Sequence, residues 1–385
     1  MYNILLLGSG TQSLAIIPSL FRAGYRIIII SSTDSNYGDK SRYVYKHYAT
    51  NCPFDHRLVS FALEIIKCDK IDAVIPMGDT SAEFLSKYKQ EICSRVKFTI
   101  PDYDIFIKGY DKNQLMSLCD RRGYPHPQTI DLSVFDISND AVRNFPFPAM
   151  LKPNCTTGGR GMVEVQTYEE LLSIYPELHK KFGDYHLQRF VKAGGRQIKV
   201  QLYVDEYQQL VAHSEQQKMR WYPNKAGSNC CAISIVNNEL VTICHNVLKD
   251  LKWVGFADFD IIEDPNTGEL LIMEINPRLP ACIKGSVMAG INWGEILVNG
   301  ALGLPQKTYG YKEGVILRHL GLEVLWFIHA SNRWHTNPCW FRFFGKNIFY
   351  QDMNGLSDPM PFVSGTFSNI RKLFNPEFRQ MKQGV

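Results

Sequence analysis

The chain has 385 residues, which at roughly 150 residues per domain suggests two or three folding units. Its 42 Lys and Arg against 38 Asp and Glu leave a formal charge of +4, too even a balance for general nucleic-acid binding, which needs a basic face. No run approaches the ~18 apolar residues of a membrane span, and residues 4–7, without a basic leader, are too short for a signal peptide, so a cytoplasmic location is expected.

The first expected element is an all-apolar strand at 4–7 (ILLL) ending in GSGTQS, followed by a helix over 14–22 and a second buried strand at 27–30. A helix at 57–68 leads to a strand at 73–76, and a further short strand is expected at 98–100. Such runs separated by helices predict a parallel sheet buried on both faces. From residue 108 the pattern changes. A helix over 111–122, with Asp111 as N-cap, leads through the turn-rich YPHPQ and Pro146 and Pro148 to the strand AMLK. Strands then dominate, at 186–191, 197–204, 209–213, 231–236, 256–262 and 270–276, with helices at 167–181 and 239–252, an α+β pattern. After about residue 305 come the aromatic clusters LWF, CWFRFF and IFY, with no motif that carries chemistry. Ten cysteines lack a paired spacing, and adjacent Cys230 and Cys231 suit neither an ordinary disulfide nor a CxxC metal knuckle, so reduced thiols are expected. The histidines show no HxxxH or HExxH pairing for zinc.

The most informative segment is GFADFDIIEDPNTGELLIMEINPR, residues 255–278. Two apolar-rich strands flank EDPNTG, a turn by its Pro, Asn and Gly. A hairpin centred near Thr267 places Asp260 opposite Glu274, with Asn276 two residues on and on the same face. Facing carboxylates repel unless a cation sits between them, and the apolar neighbours Phe259, Ile261, Ile272 and Ile275 suggest partial burial. Hard oxygen donors favour Mg²⁺ or Mn²⁺ over zinc, and Mg²⁺ takes one or two carboxylates together with phosphate oxygens. The triple Asp260, Glu274 and Asn276 therefore predicts both a metal and a nucleotide.

Lys152 closes the strand AMLK, and Thr156, Thr157, Gly158, Gly159, Arg160 and Gly161 follow closely, a loop whose backbone N–H groups can turn toward an anion. It is not a Walker loop, because no GK[ST] follows. Lys112, at the start of the next helix upstream, is a second candidate phosphate ligand. In LQRFVKAGG, an extended linker, the backbone of Arg189, Phe190 and Val191 is a candidate for the adenine edge, with Gln188 nearby; a plain edge strand fits these residues nearly as well.

Taken in order, Lys112, MLKP, TTGGRG, QRFV, DFD and MEINPR resemble the ATP-grasp superfamily over roughly residues 1–300. More narrowly, GSGTQSLAIIPSL, SRY (41–43) and IPMGD (75–79) resemble the predicted carboxylate–amine ligases akin to D-aspartate ligase and the carbamoyl phosphate synthetase large subunit. The resemblance implies an α/β Rossmann-like pre-ATP-grasp domain at 1–108, an α+β ATP-grasp domain at 109–305 with subdomains at about 109–186 and 187–305, and a small C-terminal region at 306–385. It implies an ADP-forming ligase that activates a small carboxylate as an acyl phosphate and joins it to an amine. Lys112 and Lys152 would bind phosphates, Asp260, Glu274 and Asn276 would hold magnesium, and Arg278 would face the transferred phosphate or the acyl group. The hinge departs from the family pattern, offering Gln188 or Arg189 where a glutamate is usual, so the ribose contact is open.

Two rival readings remain. GSGTQS is similar to a dinucleotide fingerprint, which would make the chain an NAD-dependent oxidoreductase, but Ser13 stands at the third glycine position and the nearest acid, Asp34, lies in a loop. The other rival is a non-catalytic ATP-binding protein whose aromatic segment 339–346 docks on a partner or a membrane surface, whereas such clusters are more often core packing or the contact of a homodimer. Asp79, ending IPMGD, is either a ligand residue or a helix cap, and Arg318 is a candidate contact for a substrate carboxylate but is expected at the surface.

Overall fold

The computed structural model describes residues 1–35, 37–155, 160–223 and 227–373. The chain opens with strands β1 (Asn3–Leu7), β2 (Arg26–Ser31), β3 (Lys46–Ala49) and β4 (Ala73–Pro76), which form an all-parallel sheet in the order β3-β2-β1-β4. β1 and β2 are near-continuous apolar runs because helices cover both faces. The expected strand at 98–100 is not formed. Lys97 makes only an isolated bridge to Ala73, and the fourth strand is instead the half-exposed KHYA of β3, whose alternation is too weak to read.

A second, small sheet is built from β5 (Thr129–Asp131), β6 (Ala149–Pro153), β7 (Val163–Val165) and β8 (Tyr185–Arg189), in the order β5-β8-β6-β7. Its core is its own, with Leu151, Val165, Leu171, Tyr185 and Leu187 at the centre. The helix Tyr168–Phe182 covers it, capped by Thr167, whose hydroxyl accepts from the Glu170 N–H at 3.2 Å.

The third sheet has seven strands. Its members are β9 (Gln197–Val204), β10 (Leu210–Tyr222), β11 (Ser228–Ile235), β12 (Gly255–Glu263), β13 (Leu270–Asn276), β14 (Ile316–Arg318) and β15 (Ile348–Tyr350), in the order β13-β12-β9-β10-β11-β14-β15. β10 runs far beyond the expected 209–213, because its polar second half, SEQQKMRWY, pairs along the whole of β11. The C-terminal region is thus part of this sheet. One continuous core joins the parallel sheet to it: Leu5, Leu7 and Ile28 pack in the same cluster as Val200, Phe259 and Ile272. The molecule is therefore two bodies, the small sheet and everything else, connected by the segment before β5 and the coil after β8. All ten cysteines are free thiols, and among the described residues no helix is long and apolar enough to cross a membrane.

Candidate active site

The acidic hairpin forms as its sequence requires, with one irregularity that decides which way Glu274 points. Asp260 lies opposite Glu274 and Asp258 opposite Asn276, while nearer the turn the partners are Ile261 with Ile272 and Ile262 with Leu271. The register slips by one at Met273, a β-bulge. The bulge lets Ile272 and Ile275, three residues apart, both reach the core that holds Phe259 and Ile261, and it leaves Glu274 beside Asp260 on the opposite face.

That face continues into β9, where Gln201 lies opposite Asp258 and Lys199 opposite Asp260. Lys199 Nζ is 2.8 Å from both Asp258 and Asp260, Lys218 lies 3.9 Å from Asp260, and Lys112 lies 3.3 Å from Glu274. The premise that only a divalent ion could neutralise the facing acids is corrected here, because lysines already do so. Burial opposes the charge on Asp260, but Lys199 and Lys218 outweigh it and hold its carboxyl below the ordinary range. At Asp258, fully buried, burial prevails over Lys199 and pushes the carboxyl up.

The donor set still suits a hard divalent cation. Two carboxylates meet at one cavity wall, and the Asn276 amide lies 3.3 Å from Asp260, its oxygen and nitrogen being interchangeable by a flip. Among the described residues no three His, Cys, Asp or Glu side chains close around a point. An ion held here would keep positions for external oxygens, as Mg²⁺ does.

Opposite stands the small sheet. Lys152 on β6 is 7 % exposed and donates to the Gln188 side-chain oxygen of β8, and the Gln188 amide nitrogen in turn reaches Thr129 Oγ1 at 3.1 Å. Burial pushes the Lys152 ammonium down to about 8, an effect that Glu274 opposes and Lys112 reinforces. The helix Lys112–Arg122 begins here because the Asp111 carboxylate caps Gln114 N–H at 2.9 Å, and the Lys112 N–H donates to Asn154 at 3.2 Å. Lys112, Lys152 and Glu274 are thereby brought to one place from three elements. His186, next to Lys152 across the strands, is buried and held far below its ordinary pKa by burial, then by Lys152 and Lys112. Its Nε2 has no hydrogen-bond partner among the described residues.

Thr157, Gly158 and Gly159 lie outside the described residues. Gly161 has φ +74°, its carbonyl accepts from the Tyr185 hydroxyl at 3.0 Å, and an added Cβ would meet Pro153, Tyr185 and Phe182 within about 3.0 Å. In the linker, the Arg189 N–H is taken by Gln128 O at 2.8 Å and its guanidinium by Asp264 at 2.7 Å, which removes that N–H as an adenine donor. Phe190 and Val191 lie just beyond β8, half-buried, where the chain crosses between the two bodies.

A cavity of about 410 Å³ adjoins the acidic wall, with Lys112, Asp260, Glu274, Asn276 and Arg278 among its lining residues. Arg278 grips Asp79, with Nη2 and Nε each 3.1 Å from a carboxylate oxygen. Asp79 is the first residue of the helix Asp79–Lys87, whose N-cap is Gly78, and its carboxylate ties the parallel sheet to the site. Lys199, Lys218, His186, His319 and Gln351 were not singled out from sequence. A signal for Lys199 existed, since Gln197, Lys199 and Gln201 alternate with Ile198, Val200 and Leu202 on β9; His319 and Gln351 carry none. Arg318, expected at the surface, is 1 % exposed and bound to Glu323 and to the Trp340 and Arg342 carbonyls. At the first turn of the parallel sheet, an added Cβ on Gly38 would meet Ser13 Oγ at 2.1 Å.

Lys152 on the small sheet thus faces the carboxylates of the hairpin, the arrangement that the resemblance to ATP-grasp proteins implies. Residues 111–286 match the family model described as carbamoyl-phosphate synthase L chain, ATP binding domain. The fold is similar to biotin carboxylase from Campylobacter jejuni, with a TM-score of 0.68 at 18 % identity over 82 % of this chain and 74 % of that one. It is also similar to L-amino acid ligase from Bacillus licheniformis, with a TM-score of 0.59 at 14 % identity over 80 % of this chain and 75 % of that one. In sequence, the chain is 26 % identical to D-aspartate ligase of Enterococcus faecium over 223 residues, 53 % of this chain and 52 % of that protein. It is 21 % identical to the C-terminal section of the carbamoyl phosphate synthase large chain of Methanopyrus kandleri over 322 residues, 78 % of this chain and 54 % of that protein. The chain spans about half the length of these two relatives.

Proposed function

We propose that the protein is an ADP-forming carboxylate–amine ligase that uses ATP with Mg²⁺ or Mn²⁺. The observation that carries this reading is the meeting of Asp260, Glu274, Lys112 and Arg278 at one cavity. On this reading the parallel sheet is the Rossmann-like pre-ATP-grasp domain (1–108), the ATP-grasp domain runs over 109–305, and residues 306–385 complete the cavity. A small amino acid as the carboxylate substrate is supported by the likeness to D-aspartate ligase and L-amino acid ligase. The free thiols fit the expected cytoplasmic location.

Asp260, Glu274 and Asn276 would hold the metal, which when bound supplies positive charge beside the phosphates. Lys112 and Lys152 neutralise charge that spreads over the transferred phosphoryl oxygens, so the carboxylate substrate can attack in line without a protein nucleophile. Lys112, 3.3 Å from Glu274, would pair with a phosphate, and a cation held by Asp260, Glu274 and Asn276 would supply the positive charge that Glu274 then lacks. Arg278, oriented by Asp79, stabilises charge on the activated acyl group. Gln188 holds Lys152 in place, and the loop carrying Thr157, Gly158, Gly159 and Gly161 excludes water from the activated acid. Lys152→Ala and Glu274→Ala should each abolish substrate-dependent ADP release, and turnover at the wild-type rate in either variant would remove the assignment.

A further inference from the structure

The cavity has a second wall, and it comes from the C-terminal region: His319, just after β14, and Gln351, just after β15. The ligase reading leaves one requirement that the acidic wall cannot meet. An amine that attacks an acyl phosphate sheds a proton as the C–N bond forms, and a base facing the reacting carbon speeds its removal. Lys199 is held charged by Asp258 and Asp260 against the effect of burial, and Arg278 is committed to Asp79. The Cys282 thiol is pushed up to about 11 by burial and keeps its proton at neutral pH. Asp260 and Glu274 face each other and their lysines. An imidazole is the cavity group of the right chemistry.

His319 is placed for that task. Its backbone N–H donates to Cys230 O at 2.8 Å, which fixes it at the mouth of the helix Leu320–His329. The residue is 8 % exposed and lines the cavity. Its Nδ1 stands 3.7 Å from the Asp352 carboxylate, too far for a hydrogen bond and near enough to form one with a small rotation. Neither His319 Nδ1 nor Asp352 Oδ1 has a hydrogen-bond partner among the described residues, although Asp352 is only 4 % exposed. Buried polar atoms without a hydrogen bond are costly for stability alone, although Lys284 lies in the field of the same carboxylate. Gln351 anchors the same segment to the first helix, its amide reaching Thr11 Oγ1 at 3.1 Å.

We infer that His319, positioned by Asp352, accepts the proton of the incoming amine, so that the C-terminal region is the acceptor wall of the active site. This rests on the ligase reading. The amine enters as the free base. Its nitrogen lone pair forms the C–N bond, the bond from the acyl carbon to the phosphate oxygen breaks with its electron pair leaving on phosphate, and the surplus N–H proton passes to His319 Nε2 and on to solvent. Asp352 closes onto Nδ1–H as the imidazolium forms.

The test separates activation of the acid from attack by the amine. Hydroxylamine is largely unprotonated at neutral pH and attacks acyl phosphates without help from a base, so hydroxamate formation reports the first step. Wild-type protein, ATP and MgCl₂ are incubated with a panel of L- and D-amino acids, with hydroxylamine in one arm and ammonium or lysine in the other. His319→Gln is expected to keep hydroxamate formation within about two-fold and to lose amide formation by about 10²–10⁴-fold. Asp352→Asn should show the same split with a smaller loss, and thermal melts of both variants confirm folding. Equal loss in both arms, or amide formation at the wild-type rate in both variants, would overturn the inference. A wild-type enzyme that yields no hydroxamate with any acid overturns the ligase reading instead, and the base assignment falls with it.

Discussion

Lys152 is a buried ammonium with one neutral acceptor, the Gln188 side chain, and a second lysine in its field. Its folded pKa of about 8 lies below the ordinary 10.5, so between those values the unfolded chain binds the proton that the folded one has lost. Stability from this group therefore rises with pH across that window, by on the order of 3 kcal/mol, and the burden is full below pH 8. Urea unfolding of Lys152→Met beside the wild type should show this difference in slope. A phosphate beside Lys152 restores the proton. Mg-ATP binding at pH 8.5–9 should then take up close to one proton, seen as a buffer-dependent calorimetric enthalpy, and the affinity should weaken as pH rises past 8. Binding with no proton uptake would mean that phosphate does not reach Lys152.

At the scale of elements, the hairpin shows what could and could not be read from the chain. The pairing of Asp260 with Glu274 was legible from the turn residues and the alternation, yet the register centred on Thr267 holds only on the far side of Met273. A bulge has no signature in one sequence beyond the odd spacing of Ile272 and Ile275, which a regular strand would send to opposite faces. β1, β2 and the helix starting at Lys112 were legible because burial on both faces and an Asp cap are local signals. The cation partners of the acids were not, since Lys199 and Lys112 arrive from elements distant in sequence. The C-terminal elements show the same limit. Arg220 on β10 and Arg318 on β14 converge on Glu323, with side chains at most 2 % exposed, a knot in which Arg220 arrives from more than a hundred residues away, which composition cannot announce. Glu323→Ala would leave both guanidinium groups buried without their counter-charge and should cost about 3–5 kcal/mol in urea unfolding, Glu323→Gln less. An exposed, weak pair would give a loss below about 1 kcal/mol.

On the scale of the whole molecule, the site is assembled from every part of the chain: Thr11 from the first helix, Lys112 and Lys152 around the small sheet, the acids of the hairpin, and His319 and Gln351 from the last strands. The parallel sheet reaches this assembly through the contact of Thr11 with Gln351 and through a polar tie of Asp79 to Arg278, while its apolar side is shared with the seven-stranded sheet. Because Lys112, Lys152 and the acids do not touch that tie in the contacts described, nucleotide affinity and acyl transfer should separate when it is cut. Asp79→Asn removes a charge-assisted, two-point grip and frees Arg278 to turn away from the cavity, a loss on the order of ten-fold or more in substrate-dependent ADP release. Mg-ATP affinity measured by calorimetry should stay within about two-fold, since the shared core keeps the sheets in place. If affinity for the nucleotide fell in step with turnover, Arg278 would belong to the phosphate end of the site, and the parallel sheet would help to hold ATP instead of the acid being activated.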